Sequence, residues 1–261
     1  VYKRQKLPRP APPPECGTWQ TLDYVKCEYV THYKPCVVQP RDPNDIVNPE
    51  GFGEEHWITA DQRIPYTIRF ENAADASAPA QVVSVTQILD PDLNPSSFRL
   101  GNFGFDNQII EVPENRAFYS VRLDLIESRG FYVDVAAGID VANHQAFWTF
   151  TTVDPETGEQ PLDAEVGFLP VNNATGRGEG FVSYVIRPRS TVASGTRIDA
   201  GLVDEANDFR ALIVFDTEGP ILTPSVFNTL DPEKPTSFVH ALPADVEDTT
   251  FELTWEGTDP N

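Results

Sequence analysis

The sequence predicts an antiparallel all-β sandwich, and three observations carry that reading. Short runs of alternating apolar and polar residues recur at near-regular spacing between turn formers. Proline occupies 24 of 261 positions, about twice its average usage and a burden on long helices. No stretch shows a sustained helical apolar stripe. The length suits one large domain or two ordinary ones, with ample volume for a core.

The chain opens with LPRPAPPP (Leu7–Pro14), a polyproline II spacer about 25 Å long. In the next segment Val25, Cys27, Tyr29, Thr31 and Tyr33 alternate with Lys26, Glu28, Val30, His32 and Lys34. This predicts one strand with a face to bury, and Trp19 and Thr21 extend the same parity. A lone strand must pair with a sheet. Two readings fit: donation to a neighbouring molecule by strand addition, or the first strand of the chain's own sandwich.

A turn-rich lead-in, DPNDIVNPEGFGEEHW (Asp42–Trp57), comes next. Strands are then expected at Pro65–Phe70, Gln81–Leu89, Ser97–Phe105, Gln108–Val112 and Ala117–Leu125. Further strands are expected at Phe131–Val141, Gln145–Val153, Gly180–Arg187, Arg197–Leu202 and Arg210–Phe215. In the first of these, Val133, Val135, Ala137, Ile139 and Val141 form the apolar set of a half-buried strand. VDPETGEQP (Val153–Pro161) is a loop of turn formers.

Charge divides the chain. Residues 1–41 hold seven basic and three acidic groups, a net of +4, and residues 42–261 carry a net of −25. An acidic body repels phosphate and anionic lipid, so nucleic acid and anionic membrane are poor partners for it. No 18-residue apolar run marks a helical membrane span. Cys16, Cys27 and Cys36 all lie in the basic arm and fit an oxidising, extracellular setting. Three is odd, so one staple with a spare thiol and an inter-chain bond both fit. A chain that starts at Val1 without Met is expected to be processed or excerpted.

No catalytic residues are assigned. The histidines His32, His56, His144 and His240 lack zinc spacing, and no nucleophile elbow, phosphate loop or dinucleotide fingerprint occurs. No cofactor is required. Calcium is the one metal the chemistry allows, because Asp42, Asn44 and Asp45 form one acidic turn and Asp90 and Asp92 another. Solvated, solubility-giving turns fit the same residues. Asn173-Ala174-Thr175 is an N-glycosylation acceptor in a Gly-flanked loop.

The succession PYTIRFEN (Pro65–Asn72), APAQVVSVTQILDPDL (Ala78–Leu93), AFWTFTTVDPETGE (Ala146–Glu159), GEGFVSYVIRPRSTVASGTRIDA (Gly178–Ala200) and ALIVFDTEGPILTPSVFNTLD (Ala211–Asp231) resembles an uncharacterised family of immunoglobulin-like repeat modules. These occur in large secreted and cell-surface bacterial proteins. The DPND opening at Asp42–Asp45 belongs to the pattern, which spans roughly residues 42–231. The resemblance implies an immunoglobulin-like sandwich with a large insertion, about Gly101–Asn143, and no established catalytic residues. VDEANDF (Val203–Phe209) departs from it by lengthening the last hairpin. The Cys-bearing arm lies outside it.

The tail, Pro235–Asn261, resembles the first two strands of a fibronectin type III-like domain, with Trp255 as the expected core tryptophan. Such a sandwich needs about 100 residues. The strands are therefore expected to finish on further chain or on another subunit. Three regions result: an arm at 1–41, a sandwich at 42–231 that is one expanded sandwich or two packed ones, and an incomplete domain at 232–261.

Two functional expectations follow. The first is an extracellular, non-enzymatic structural subunit whose partner is itself. The arm strand, with Trp19, Val25, Cys27, Tyr29 and Tyr33, docks on the next copy, and repetition gives a fibre or surface array. The second is an adhesin-type binding module that recognises surface glycan and is stiffened by calcium.

Overall fold

The computed structural model describes residues 17–23, 28–34, 44–231, 236–241 and 253–258. The chain divides into two compact units, Val1–Arg41 and Asp42–Asn261, each taken here by itself.

In the first unit β1 (Gly17–Asp23) and β2 (Glu28–Lys34) pair antiparallel, from Gly17↔Lys34 to Asp23↔Glu28. This corrects the single strand expected from parity. The chain reverses between Asp23 and Glu28, so position 19 pairs with 32 and position 21 with 30. Paired positions share a face of a pleated hairpin. Positions 19 and 21 therefore group with 30 and 32, and not with 29, 31 and 33. Odd–even alternation cannot register a reversal.

The second unit runs β3 (Asp45–Val47), β4 (Trp57–Thr59), β5 (Ile64–Glu71), β6 (Val82–Ile88), β7 (Leu93–Phe105), β8 (Gln108–Ile110), β9 (Phe118–Leu125), α1 (Ile126–Arg129), β10 (Phe131–Asp140) and β11 (Gln145–Val153). It continues with β12 (Glu179–Pro188), β13 (Arg197–Ala200), β14 (Leu202–Asp204), β15 (Asn207–Asp208), β16 (Ala211–Phe215), β17 (Ile221–Leu222), β18 (Val226–Asp231), β19 (Thr236–Val239) and β20 (Trp255–Thr258). One sheet has six strands in the order β17-β16-β6-β11-β10-β9, and the other has five, β3-β5-β12-β7-β8. The described residues are thus all-β and overwhelmingly antiparallel, with one helical turn among them at α1.

Alternation places the core. On β10, Val133, Val135 and Ala137 are buried while Tyr132, Asp134 and Ala136 face outward; on β12, Val182, Tyr184 and Ile186 are buried. Aromatic rings lock the two sheets together. Phe150 of β11 lies 5.8 Å from Phe70 of β5 and 5.7 Å from Phe103 of β7, and Trp148 lies 5.8 Å from Tyr184. Offset and edge contacts of this kind add about 0.5–1.5 kcal/mol each beyond area burial. The Gly101–Asn143 stretch is not a separate body. The end of β7 with β8 lengthens the five-stranded sheet, β9 and β10 lengthen the six-stranded one, and all share one continuous core.

A third, small sheet, β13-β18-β4, adds Ile198, Ala200, Leu230 and Ile58 to that core. Its β18–β4 pair runs parallel, Thr229↔Trp57 to Asp231↔Thr59. Buried Asn228 ties it to the lead-in: its Nδ2 donates to the Pro49 carbonyl at 2.9 Å and its Oδ1 accepts from Asn48 Nδ2 at 2.8 Å. Asn48 donates also to the Phe227 carbonyl. VDEANDF forms the separate small hairpin β14–β15. In the β19–β20 pair Trp255 stands opposite Val239 and is 69% exposed. Among the described residues this two-stranded pair has no opposing layer, and a core around Trp255 needs further strands.

Candidate functional site

In the described parts of the two acidic turns the side chains of Asn44, Asp45 and Asp90 are engaged by groups of the protein itself. Asp45 is buried and receives Arg69 Nε at 2.7 Å and Nη2 at 2.5 Å. Asn44 Oδ1 accepts from the Glu71 amide at 3.3 Å. Asp90 is buried too; its Oδ1 accepts from the Asp92 amide at 2.8 Å and its Oδ2 from the Asp199 amide at 2.9 Å. Burial pushes the Asp90 carboxyl up, against the pull of those two amides. Asp92 is half-buried, and its carbonyl accepts from the Arg189 amide. Among the described residues no three carboxylate, imidazole or thiol groups converge as a metal site. Asp42 lies outside the described residues, as do Val25, Cys16, Cys27 and Cys36. Trp19 lies on β1, and Tyr29 and Tyr33 lie on β2, in register with Leu22 and Thr18.

Asn173 is exposed, as a glycan acceptor must be. Its Oδ1 accepts from the Thr175 amide at 2.9 Å and the Thr175 hydroxyl at 2.6 Å, which draws the two sequon side chains together.

The sequence did not single out Asp106. Its carboxylate is 4% exposed and takes two guanidiniums, Arg129 just before β10 and Arg177 just before β12. Arg129 also donates to the Phe168 carbonyl at 2.9 Å. Burial, and then Arg177, lower the Arg129 pKa. The triad fastens the β7–β8 turn to two distant loops. Its partners lie 23 and 71 residues away, so no local motif announces it.

The outer face of the six-stranded sheet has the most distinctive surface chemistry. Register sets up a row Phe118–Gly138–Phe147–Thr86–Leu212–Leu222 that crosses every strand. A Cβ on Gly138 would meet Phe118 Cδ2 at 2.9 Å and Phe147 Cζ at 3.3 Å, so both rings lean over the glycine. Beside this row runs a trough of small residues, Ser120–Ala136–Thr149–Ser84. The trough is bounded beyond by the Arg122–Asp134 pair, with both nitrogens 2.6 Å from the carboxylate oxygens and the guanidinium 5.2 Å above Tyr132. The groove therefore offers an apolar ring wall, hydroxyls and one charge pair that is neutral overall.

At one margin of this face lies β9, the last strand in the sheet order. Its lead-in is tied to β7 by the Leu100 amide, which donates to the Arg116 carbonyl at 2.7 Å. Tyr119, Val121 and Leu123, on the core-facing side of β9, are only half-buried.

Comparison with known proteins gives a family match to part of the chain: a domain of unknown function (DUF7619) aligns with residues 42–122. Among solved structures, the fold is similar to one described as the RrgA Jo.In complex, at 10% identity and a TM-score of 0.35, covering 66% of this chain and 73% of that one. It is also similar to the group B streptococcus pilus 2b backbone protein, at 12% identity and a TM-score of 0.32, covering 69% of this chain and 56% of that one. No curated protein matches the chain.

Proposed function

We propose that the protein is an extracellular, non-enzymatic structural subunit whose acidic sandwich receives the basic N-terminal unit of another copy. Copies joined head to tail in this way form a fibre or surface array. One observation carries the reading. The chain divides at Arg41/Asp42 into two compact units of opposite charge, and the described part of the first is a two-stranded hairpin. A lone hairpin is marginal in water and gains stability by joining a larger sheet. Charge adds attraction between an arm of +4 and a body of −25. The donated element is then a hairpin, not the single strand the sequence suggested.

Sedimentation velocity with negative-stain electron microscopy tests this. Oligomers should grow with concentration at low salt and shrink at 1 M salt, where the Debye length falls to about 3 Å. A monomer at every concentration and salt would defeat the proposal.

The groove on the six-stranded sheet favours a second reading, a glycan-binding module. Rings that lean over Gly138 can stack on a sugar face, and Ser120, Thr149 and Thr151 can exchange hydrogen bonds with its hydroxyls. Binding of monomer to a glycan array, lost in Phe118→Ala, would support it; retention of binding in that variant would count against it.

A further inference from the structure

Proteins commonly blunt the edges of their sheets with very short strands. Here β17 has two residues, β3, β8 and β4 have three each, and β13 has four. Among the three sheets that share the core, the sixth edge, β9, has eight. It contains no proline or glycine, and it pairs with β10 without a bulge from Leu125↔Phe131 to Phe118↔Gly138. One row of its backbone N–H and C=O groups points away from the sheet.

The core beneath this edge is also incomplete. Tyr119, Val121 and Leu123 on β9 are half-buried, while their register partners Ala137, Val135 and Val133 on β10 are fully buried. A further strand along β9 would bond the outward backbone row and wall off those three side chains.

We infer that the β9 edge is the acceptor for the β1–β2 hairpin of a second copy. The inference rests on the assembly reading above and names the surface that reading left open. Lengths match, with seven residues in each hairpin strand and eight in β9. Charge adds a weaker attraction. Glu111, Glu114, Arg116, Asp124 and Glu127 are exposed around the edge, and Arg122 is neutralised by Asp134, so the surroundings are acidic on balance. The hairpin itself is neutral, with Lys26 and Lys34 against Asp23 and Glu28, and the arm's net of +4 lies on residues 1–16 and 35–41 on either side of it. Docking makes the six-stranded sheet continuous with the hairpin and leaves a seven-residue hairpin strand as the new edge.

Photo-crosslinking of the full chain tests the assignment. A photoreactive residue replaces exposed Ser120, and isotopically light and heavy protein are mixed before illumination. The expected products join a light chain at position 120 to residues 17–34 of a heavy chain. Val121→Lys, an inward-pointing charge on the edge, is expected to abolish the assembled species. Val47→Lys on the short β3 edge is expected to leave it. Assemblies that form but crosslink position 120 elsewhere would overturn the acceptor while the assembly reading stood. Monomers whose position 120 crosslinks only to their own residues 17–34 would overturn both. Should Val121→Lys fail to fold, the crosslinks still decide.

Discussion

Asp106→Asn and Asp134→Asn remove the same charge from two Arg-bound carboxylates that differ in burial. The Asp106 side chain is 4% exposed and its partner Arg129 17%; Asp134 is 42% exposed and its partner Arg122 53%. Breaking a buried pair by removing one partner leaves an uncompensated charge and costs about 3–5 kcal/mol. Here Arg177 is 48% exposed and can turn to water, and Arg129 keeps its bond to the Phe168 carbonyl. The low end, about 3 kcal/mol, is therefore expected. For a unit of this size that lowers Tm by about 6–12 °C, at roughly 2–4 °C per kcal/mol. The exposed pair is screened by water, so its loss is expected to move Tm far less. Thermal and urea melts of both variants measure the difference. Equal shifts would refute the claim that burial, and not the fork geometry, sets the value of these pairs.

Two further outcomes are expected. Burial holds the Tyr66 and Tyr184 phenols well above their usual range, with Asp90 and Asp199 adding to the first and Tyr66 to the second. The stability linked to them is full below the unfolded-state value of about 10 and is lost as pH climbs toward the folded values. In an ultraviolet titration two of the eight tyrosines should ionise only as the fold is lost; all eight titrating in the intact fold would contradict this. Gly180→Ala would drive a Cβ into the Phe70 ring and to 3.2 Å from the Gly104 carbonyl oxygen. Phe70 is clamped by Phe150 and Phe215, so the expected cost is about 1–3 kcal/mol. Phe70→Leu in the same chain should recover part of it in a double-mutant cycle; strict additivity would rule out the clash.

Where the fold was legible, the reason was side-chain period. β11 is expected at Gln145–Val153 and lies there, because its inward Ala146, Trp148 and Phe150 alternate with the outward Gln145, Phe147, Thr149 and Thr151, three of them polar. β3 and β4 escaped notice because three residues inside a run of turn formers are too short to show a period. The sites were harder for a related reason. Asp90 meets Asp199 across 109 residues, and such a pairing is set by topology, which composition does not encode. Nor does alternation distinguish an edge strand from an inner one. FYSVRLDL (Phe118–Leu125) reads the same whether or not a neighbour lies beyond it.

The clasp at the start of the sandwich bears on mechanics. Tension drawn along the chain from its N-terminal side loads β3 and the lead-in that follows it. There Asp45 is gripped by Arg69, and Asn48 is gripped by Asn228 and the Phe227 carbonyl. Behind them β4 runs parallel to β18. Drawn by its leading end, β4 must slide along β18, so their hydrogen bonds stretch together, whereas peeling would break them one at a time. Resistance to force follows the rate of unfolding more than equilibrium stability. This geometry gives a small sheet at the mouth of the sandwich the task of a brake, and Asn228→Ala should lower rupture force in single-molecule pulling more than it lowers Tm.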